Sequence, residues 1–204
     1  MGGAAVLLSN KAKYGWGGAK YTLDQAVRTH KGADDVSYRA VFEEEDREGN
    51  RGVALSKDIM NVAALALQDN ITNLGPTILP FMELLKYAMT IVGRKIYGKQ
   101  VKVYTPNFKT CVRHFCIHAG GRAVIDALEK ALSLTPYDCE PSRYALHRYG
   151  NTSSSSIWYE LEYIEEHREV RRGERVWQIA FGSGFMCNST IWKSCRSSKG
   201  AISQ

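Results

Sequence analysis

The sequence lacks an apolar run long enough to cross a membrane. Its nearest candidate, residues 74–92, is interrupted by a glycine, two prolines, a glutamate and a lysine, whereas a spanning helix needs roughly 20 consecutive apolar residues. The first ten residues also lack the basic start and the long apolar segment of a secretory signal peptide. We therefore expect neither a transmembrane helix nor a signal peptide within these 204 residues.

Cysteine pairs at disulfide or metal-site spacing are lacking as well. The five cysteines are an odd number without framework spacing, which argues against a disulfide-stapled secreted fold. Cys111 and Cys116 have no second pair downstream at zinc spacing. The sequence therefore predicts no disulfide framework and no metal site.

A nucleic-acid motif is lacking too, although the formal net charge is +6. The basic residues are dispersed along the chain, so we expect no nucleic-acid partner. The net charge leaves three interpretations open: a mildly basic surface, a site for a phosphate-bearing ligand, or a surface facing anionic lipid. The 44% hydrophobic content is that of an ordinary globular domain with a sizeable core.

Hydrophobic periodicity predicts alternating strands and helices, which is typical of a mixed α/β fold. The predicted strands are a buried one at 2–9, one that ends at His30, a hairpin at 38–55, one at 113–118, and a pair around the tight loop Gly182–Gly184. Four helices are predicted: one after Ser56, one at 81–98, one at 120–134, and one that begins in the serine run before Ile157. Residues 101–108 predict a strand or an extended insert, and the glycines at 15–18 predict a loop.

Prolines and caps set the expected helix limits. Ser56 can cap a helix whose apolar residues fall on every face, which predicts burial on all sides. The segment 70–80, with Pro76, is expected to end that helix. Pro136 and Pro141 predict a loop, and we place His147 in the same loop.

Two polar residues, His118 and Asn151, stand where a strand or a loop gives way to a helix. Such junctions expose side chains to a pocket in α/β folds. Each residue also has a structural explanation when taken alone, since His118 suits a core histidine and Asn151 suits a helix cap.

Other polar residues are weaker candidates. His114 lies on the same predicted strand face as His118 but about 13 Å away, too far to share a metal ion. His147 suits a loop residue, and Gly182-Ser183-Gly184 suits either a plain hairpin turn or a loop with backbone N–H groups close to a ligand.

Three long segments contain most of these candidate residues. These segments are FCIHAGGRAVIDALEKAL, EPSRYALHRYGNTSSSSIWYELEYIE and RVWQIAFGSGFMCNSTIWKS. They closely resemble the plant 3-ketoacyl-CoA synthases, the condensing enzymes of very-long-chain fatty acid elongation. The likeness runs from residue 1 to about residue 196. It implies a thiolase-like layered α/β fold, in which residues 1–20 are the tail end of the N-terminal half and residues 21–204 are the C-terminal half.

The resemblance also implies a Cys-His-Asn mechanism. His118 and Asn151 take the catalytic His and Asn roles, and they bind the thioester carbonyl of malonyl-CoA while a cysteine holds the acyl group from acyl-CoA. His30, His114 and His147 match further histidines of the family, and Gly182, Ser183 and Gly184 line the pocket. The substrates are CoA thioesters, and no separate cofactor or metal is implied.

None of the five cysteines occupies the nucleophile's position, which the resemblance places upstream of Met1 together with the family's membrane anchors. Cys116 is interpreted as a core residue. We therefore expect no condensation by this chain alone, and poor solubility because the helix after Ser56 lacks a polar face.

Partners and location follow from the same resemblance. It implies the endoplasmic reticulum membrane, and it leaves a homodimer and the reductases and dehydratase of fatty acid elongation open as partners. Two alternatives stay open for the function, namely a non-catalytic truncated remnant and a type III polyketide synthase-like enzyme.

Overall fold

The computed structural model describes residues 1–11, 18–98 and 100–198. Within them, six strands and six α-helices form a mixed α/β fold. The strands are β1 (Tyr21–His30), β2 (Val41–Glu45), β3 (Arg51–Leu55), β4 (His114–Ile117), β5 (Arg175–Gly182) and β6 (Met186–Ser194). The helices are α1 (Asp35–Tyr38), α2 (Ile59–Ile78), α3 (Phe81–Tyr97), α4 (Arg122–Ala131), α5 (Pro136–Tyr149) and α6 (Ser156–His167).

The main sheet has the strand order β1-β6-β5-β4. β6 is antiparallel to both β1 and β5, whereas β4 is parallel to β5. β1, β4 and β5 therefore run in the same direction, and their carboxyl ends meet at one edge of the sheet. β2 and β3 form a separate hairpin, as the sequence predicts.

Core residues lie on both faces of this sheet. Successive residues of a strand point to opposite faces, and β5 shows this directly. Trp177 and Ile179 belong to a large core that includes residues of α2 and α4. Val176 and Cys116 belong to a smaller core with residues of α6. The result is a helix–sheet–helix layering, in agreement with the expected thiolase-like α/β architecture.

Helix α2 departs from the prediction at both ends. Its N-cap is Asp58, while the N–H of Ser56 bonds to the carbonyl of Ala40 at 3.0 Å. The helix runs through Pro76 to Ile78 instead of breaking at the proline. The proline removes one backbone hydrogen bond, which is a small local loss. Packing of an apolar face supplies most of a helix's stability, so the helix continues past the proline.

That apolar face covers only one side of α2. Leu74 and Ile78 are 0% and 5% exposed, whereas Leu65 on another side is 53% exposed. The prediction that this helix is buried on every side is therefore wrong for this chain.

The predicted loop with Pro136 and Pro141 is instead helix α5, which contains both prolines. Pro136 stands in the first turn, where its missing N–H costs nothing. Thr135 caps the helix in a reciprocal capping box with Asp138. His147 consequently lies in the last turn of α5 and not in a loop.

The predicted strand at 2–9 is absent from the structure. Residues 1–11 have no regular secondary structure and are exposed, because no strand of the described sheets pairs with them. One tie to the fold is Gly3, whose N–H donates to the Tyr159 hydroxyl at 2.9 Å. Residues 12–17 of the predicted glycine loop lie outside the described residues.

The remaining predicted elements are present. β1 ends at His30, α3 and α4 occupy the predicted helical segments, and β5 and β6 flank the Gly182–Gly184 turn. The segment from 101 to 107 is an extended insert without strand pairing. In the part of the chain that the structure describes, no helix is both long and apolar enough to traverse a membrane.

Candidate active site

The carboxyl-terminal edge of the main sheet brings together three of the predicted site elements. His30 is the last residue of β1, His118 follows β4 directly, and Gly182 ends β5. Because β1, β4 and β5 run in the same direction, these residues share one edge of the sheet. Ligands of open α/β sheets bind outside this edge.

His118 is held at this edge by its backbone and by an aromatic neighbour. Its N–H donates to the carbonyl of Ile179 at 2.9 Å, which extends the β4–β5 pairing by one residue. Its imidazole meets the ring of Phe181 edge-on, with 6.4 Å between ring centroids. Burial lowers the pKa of His118, so the ring is neutral at pH 7 and carries one N–H donor.

Gly120 permits a close approach to the His118 ring. A Cβ at this position would lie 2.9 Å from Cδ2 and 3.0 Å from Nε2 of His118. The N–H of Gly120 also donates to the carbonyl of His118 at 2.8 Å, which folds the chain sharply before α4 begins. Any side chain at residue 120 would therefore push the imidazole away.

Asn151 approaches the same glycine from α5. Gly150, with φ +71°, ends that helix, and its N–H bonds to the carbonyl of Leu146 at 3.0 Å. The Oδ1 of Asn151 accepts from the N–H of Ser153 at 2.8 Å, and its Nδ2 donates to the carbonyl of Gly120 at 3.2 Å. These two bonds fix the orientation of the amide and leave its second N–H free to donate.

The structure thus brings both His118 and Asn151 against one residue, Gly120. One donor is an imidazole N–H, and the other is an amide N–H. Donors of these two kinds can stabilise an oxygen atom on which negative charge develops.

His30 and the turn Gly182–Gly184 lie farther along the same edge. A Cβ on Gly184, which has φ +124°, would come within 3.1 Å of Nε2 of His30. The N–H of Lys31 also donates to the carbonyl of Phe185 at 2.8 Å. The turn and the end of β1 are therefore packed against each other.

Two phenylalanines of the segment RVWQIAFGSGFMCNSTIWKS link this turn to His118, and the sequence predicts no role in the site for either of them. Phe181 and Phe185 have ring centroids 5.8 Å apart, and Phe181 also meets His118. The alternation along RVWQIAF places Phe181 on the same strand face as Trp177 and Ile179. From that alternation the sequence could have predicted that Phe181 faces the large core.

His114 occupies a different environment from His118. It is 4% exposed, its Nε2 lies 3.2 Å from Oε2 of Glu174, and burial lowers its pKa. It shares its strand face with Cys116, in the small core, whereas His118 contacts Phe181 on the large-core side. The expectation that both histidines share one strand face is wrong, because β4 ends at Ile117.

His147 is exposed in the last turn of α5, four residues before Asn151. No contact between its side chain and His118 or Asn151 is seen among the described residues.

A buried hydrogen-bond chain supports the end of β4. The N–H of Ile117 donates to Oγ of Ser142 at 2.9 Å, and that hydroxyl donates to Oε2 of Glu160 at 2.6 Å. Glu160 is fully buried, and desolvation raises its pKa well above the usual value. A buried carboxyl group in α6 thus holds, through Ser142, the residue that immediately precedes His118.

The cysteines are all reduced thiols. Cys116 is fully buried in the small core, which confirms its interpretation as a core residue. Burial raises the pKa of Cys116 well above its usual value, and it raises the pKa of Cys139 and of Cys187 to about 12. These thiols are therefore protonated at neutral pH.

No metal-binding cluster is formed by the described residues. This holds for every group of three or more His, Cys, Asp or Glu side chains in the described ranges.

Two family models match the chain. The model described as "FAE1/Type III polyketide synthase-like protein" covers residues 1–96. The model described as "3-Oxoacyl-(acyl-carrier-protein) synthase III C terminal" covers residues 109–194 and so includes His118 and Asn151.

Plant proteins resemble the chain over nearly its whole length. It is 57% identical over 199 residues to 3-ketoacyl-CoA synthase 5 of Arabidopsis thaliana, which covers 98% of the chain and 40% of that protein. It is 58% identical to 3-ketoacyl-CoA synthase 4 of the same plant and 56% identical to probable 3-ketoacyl-CoA synthase 20 of Oryza sativa subsp. japonica, with 96% of the chain and 38% of each relative covered. The chain thus spans about two fifths of the length of these curated relatives.

Solved structures share the fold at lower identity. The C-terminal type III polyketide synthase domain of Steely1 from Dictyostelium has a TM-score of 0.58 and 17% identity, with 85% of this chain and 40% of that chain covered. A fungal type III polyketide synthase, ORAS, also has a TM-score of 0.58, with 22% identity over 86% of this chain and 41% of that chain. The fold is therefore thiolase-like, and the sequence matches show that the chain belongs to the plant 3-ketoacyl-CoA synthase family, of which it corresponds to a part.

Proposed function

We propose that this chain supplies the oxyanion-binding part of a condensing acyltransferase. The enzyme would join a long-chain acyl-CoA to malonyl-CoA and release 3-ketoacyl-CoA, CoA and CO₂, as in very-long-chain fatty acid elongation. The observation that carries the proposal is that His118 and Asn151 both lie against Gly120. The identity of 53–58% to named 3-ketoacyl-CoA synthases supports the reaction type.

In the proposed mechanism, the carbonyl oxygen of malonyl thioester binds between the His118 N–H and the free Asn151 N–H. The bond between the malonyl carboxylate and the α-carbon breaks, and CO₂ leaves. The bonding electrons move into an enolate, whose oxygen the two donors stabilise as its charge develops. A neutral imidazole suits this role, and burial favours it by lowering the pKa of His118.

The enolate carbon then attacks the carbonyl of an acyl group held as a thioester on a cysteine. The C–S bond breaks, and the cysteine leaves as a thiolate. We propose that this cysteine belongs to a segment of the longer enzyme outside this sequence. The high pKa values of Cys116, Cys139 and Cys187 support that view, since a nucleophilic cysteine needs a stabilised thiolate.

His30, His147 and the Gly182–Gly184 turn are proposed as supporting parts of the same site. The shared sheet edge supports this for His30 and for the turn. His114 is proposed to support the site indirectly, through the position of β4.

The wider assignment consists of further proposals. Residues 21–204 would form the C-terminal thiolase-like half, since the described sheet begins at Tyr21. A homodimer is proposed because the chain resembles type III polyketide synthases in fold. The elongation reductases and dehydratase, and the endoplasmic reticulum membrane, are proposed on family membership alone.

The experiment uses a chimera in which this chain replaces the matching region of 3-ketoacyl-CoA synthase 5 of Arabidopsis thaliana. The chimera is incubated with palmitoyl-CoA and radiolabelled malonyl-CoA, and the 3-keto product is measured. We expect product from the chimera and none from this chain alone. His118→Ala should abolish product, whereas Arg122→Ala, an exposed change on α4, should not.

The outcomes separate the rival functions. A chimera without product would favour a non-catalytic remnant. Product from the chain alone would contradict the proposed external cysteine. Repeated malonyl additions that yield a polyketide would favour a type III polyketide synthase-like enzyme.

A further inference from the structure

Three buried residues join one strand to two helices, and we call them the Ser142 bridge. The N–H of Ile117 donates to Oγ of Ser142 at 2.9 Å, and the Ser142 hydroxyl donates to Oε2 of Glu160 at 2.6 Å. Ile117 is the last residue of β4, Ser142 lies in α5 and Glu160 lies in α6. The bridge therefore sets the distances between these three elements.

The same three elements hold the two candidate oxyanion donors. His118 directly follows Ile117 in the sequence, and Asn151 lies in the connection between α5 and α6. Ser142 stands nine residues before Asn151, and Glu160 stands nine residues after it. A shift of β4 against the two helices would therefore move His118 relative to Asn151.

The end of β4 is held on both of its sides. β4 is the outermost strand of the main sheet in the part of the chain that the structure describes. On the β5 side, the N–H of His118 donates to the carbonyl of Ile179 at 2.9 Å. On the other side, the N–H of Ile117 donates to Ser142. Ser142 thus fixes the side of β4 that β5 does not reach.

The connection that contains Asn151 is tied to the start of α6. The N–H of Thr152 donates to Oγ of Ser156 at 3.1 Å, and Oγ of Ser155 donates to the carbonyl of Thr152 at 2.9 Å. Glu160 lies four residues after Ser156, which is about one helical turn. The helix start that holds Asn151 therefore moves together with Glu160.

The burial of the bridge points to a role other than stability. Ser142 and Glu160 are both fully buried, and Oε1 of Glu160 has no hydrogen-bond partner within the described ranges. Removal of a carboxyl group from water costs free energy that a single hydrogen bond offsets only in part. The position of β4 is what this buried group determines.

We propose that Ser142 and Glu160 are positioning residues, which hold His118 at the distance from Asn151 that decarboxylation of the malonyl thioester requires. The inference rests on the proposed function for the reaction. Because both residues are fully buried, they act through the backbone of Ile117 and not by contact with the substrate. A displacement of about 1 Å in a catalytic group can cost on the order of a hundredfold in rate.

The first test measures kcat and KM for malonyl-CoA decarboxylation by the chimera. Ser142→Ala removes the acceptor of the Ile117 N–H, and Glu160→Leu removes the acceptor of the Ser142 hydroxyl. Each should lower kcat on the order of tenfold and change KM less than about twofold, because displaced donors lose interactions made chiefly in the transition state. Glu160→Gln keeps an acceptor oxygen and should restore most of the rate that Glu160→Leu loses.

Ile164→Ala is the matched control for lost packing. Ile164 is fully buried in α6, four residues after Glu160, and it takes no part in the bridge. It should leave kcat unchanged under conditions in which circular dichroism shows the variants to be folded. Should Glu160→Leu fail to fold, Ser142→Ala carries the test, since it removes a single oxygen atom. An equal loss of kcat in Ile164→Ala, or the parent's kcat in Ser142→Ala, would overturn the proposal.

The second test needs no catalysis and uses the full 204-residue chain. Hydrogen–deuterium exchange with mass spectrometry follows the amides of residues 115–118, since local opening exposes such groups to exchange. Ser142→Ala should speed exchange there more than elsewhere, whereas Ile164→Ala should show no such preference. Unchanged exchange in Ser142→Ala would refute the inference even if the chimera condenses. Faster exchange together with an inactive parent chimera would support the bridge and refute the proposed function instead.

Discussion

The amide of Asn151 donates a 3.2 Å hydrogen bond to the carbonyl oxygen of Gly120, 31 residues earlier in the chain. A Cβ added to the same glycine would lie only 2.9 Å from the His118 ring. This relationship joins the end of α5 to the start of α4. The two donor groups therefore depend on one residue that has no side chain.

Gly120→Ala should displace His118 and reduce condensation by the chimera. The new Cβ would meet the imidazole at 2.9–3.0 Å, which real Cβ contacts hardly ever reach. A shift of about 1 Å in a catalytic group can cost on the order of a hundredfold in rate. Gly121→Ala is the matched control, since a Cβ there meets nothing within 4 Å. Equal rates for the two variants would refute the argument.

Asn151→Asp should suppress decarboxylation of malonyl-CoA by the chimera. The shape is retained and Oδ1 can still accept from Ser153, but the amide donor is lost and a negative charge faces the developing enolate. Removal of one oxyanion donor costs roughly 10²–10³-fold. Release of CO₂ is the readout, with the exposed Ser154→Ala as the control. Undiminished CO₂ release would remove Asn151 from the mechanism.

The stability of the chain should fall as the pH drops below about 6.5. Burial lowers the pKa of His118 and that of His114 below the usual 6.5. The unfolded chain therefore binds more protons between the folded pKa values and 6.5, and acid favours unfolding there. Urea unfolding at several pH values measures this. The dependence should shrink in His118→Asn, and an unchanged slope would assign it to other groups.

Glu160→Gln should fold nearly as stably as the parent chain, within about 1 kcal/mol, because desolvation raises the pKa of the buried carboxyl group and so favours its uncharged form, which an amide resembles. Glu160→Ala should cost about 2–4 kcal/mol, since it opens a void and leaves the Ser142 hydroxyl without its acceptor. Chemical denaturation compares the three proteins.

The pH dependence gives a second readout for Glu160. A raised folded pKa stabilises the fold below the unfolded value of 4.5, and that stability is lost as the pH rises through the folded pKa. Glu160→Gln should lack this dependence. If it behaved like Glu160→Ala, the carboxyl group would have a specific role that an amide cannot fill.

Much of the main sheet could be predicted from sequence because its strands are apolar and bounded by glycine or polar turns. Helix limits at prolines could not. Pro136 begins α5 because Thr135 and Asp138 cap that helix, and Pro76 is tolerated because Leu74 and Ile78 are packed in the core. Tertiary contacts decide both cases, and local propensity does not contain them.

The candidate site, like the fold, could be predicted from the sequence only in part. The junctions of strand or loop with helix identified His118 and Asn151, but their shared contact with Gly120 joins residues far apart in the chain. The bonds of Glu83 to Tyr104 and Asn107 fix the spacing between α3 and the segment 101–107. No local pattern in the sequence encodes such a spacing.

The exposed apolar side of α3 should cause self-association. Phe81, Met82, Met89, Val92 and Ile96 are 56–74% exposed, and their spacing places them on one side of the helix. The apolar surface that the sequence assigned to α2 thus lies chiefly on α3, and exposed apolar patches of this kind promote association.

Met89→Lys should raise the monomer fraction in sedimentation velocity. Val53→Lys is the matched control, because Val53 is 66% exposed against 65% for Met89 but lies on the β2–β3 hairpin opposite Glu43. If both substitutions raised the monomer fraction equally, general charge would explain the effect and the α3 surface would not.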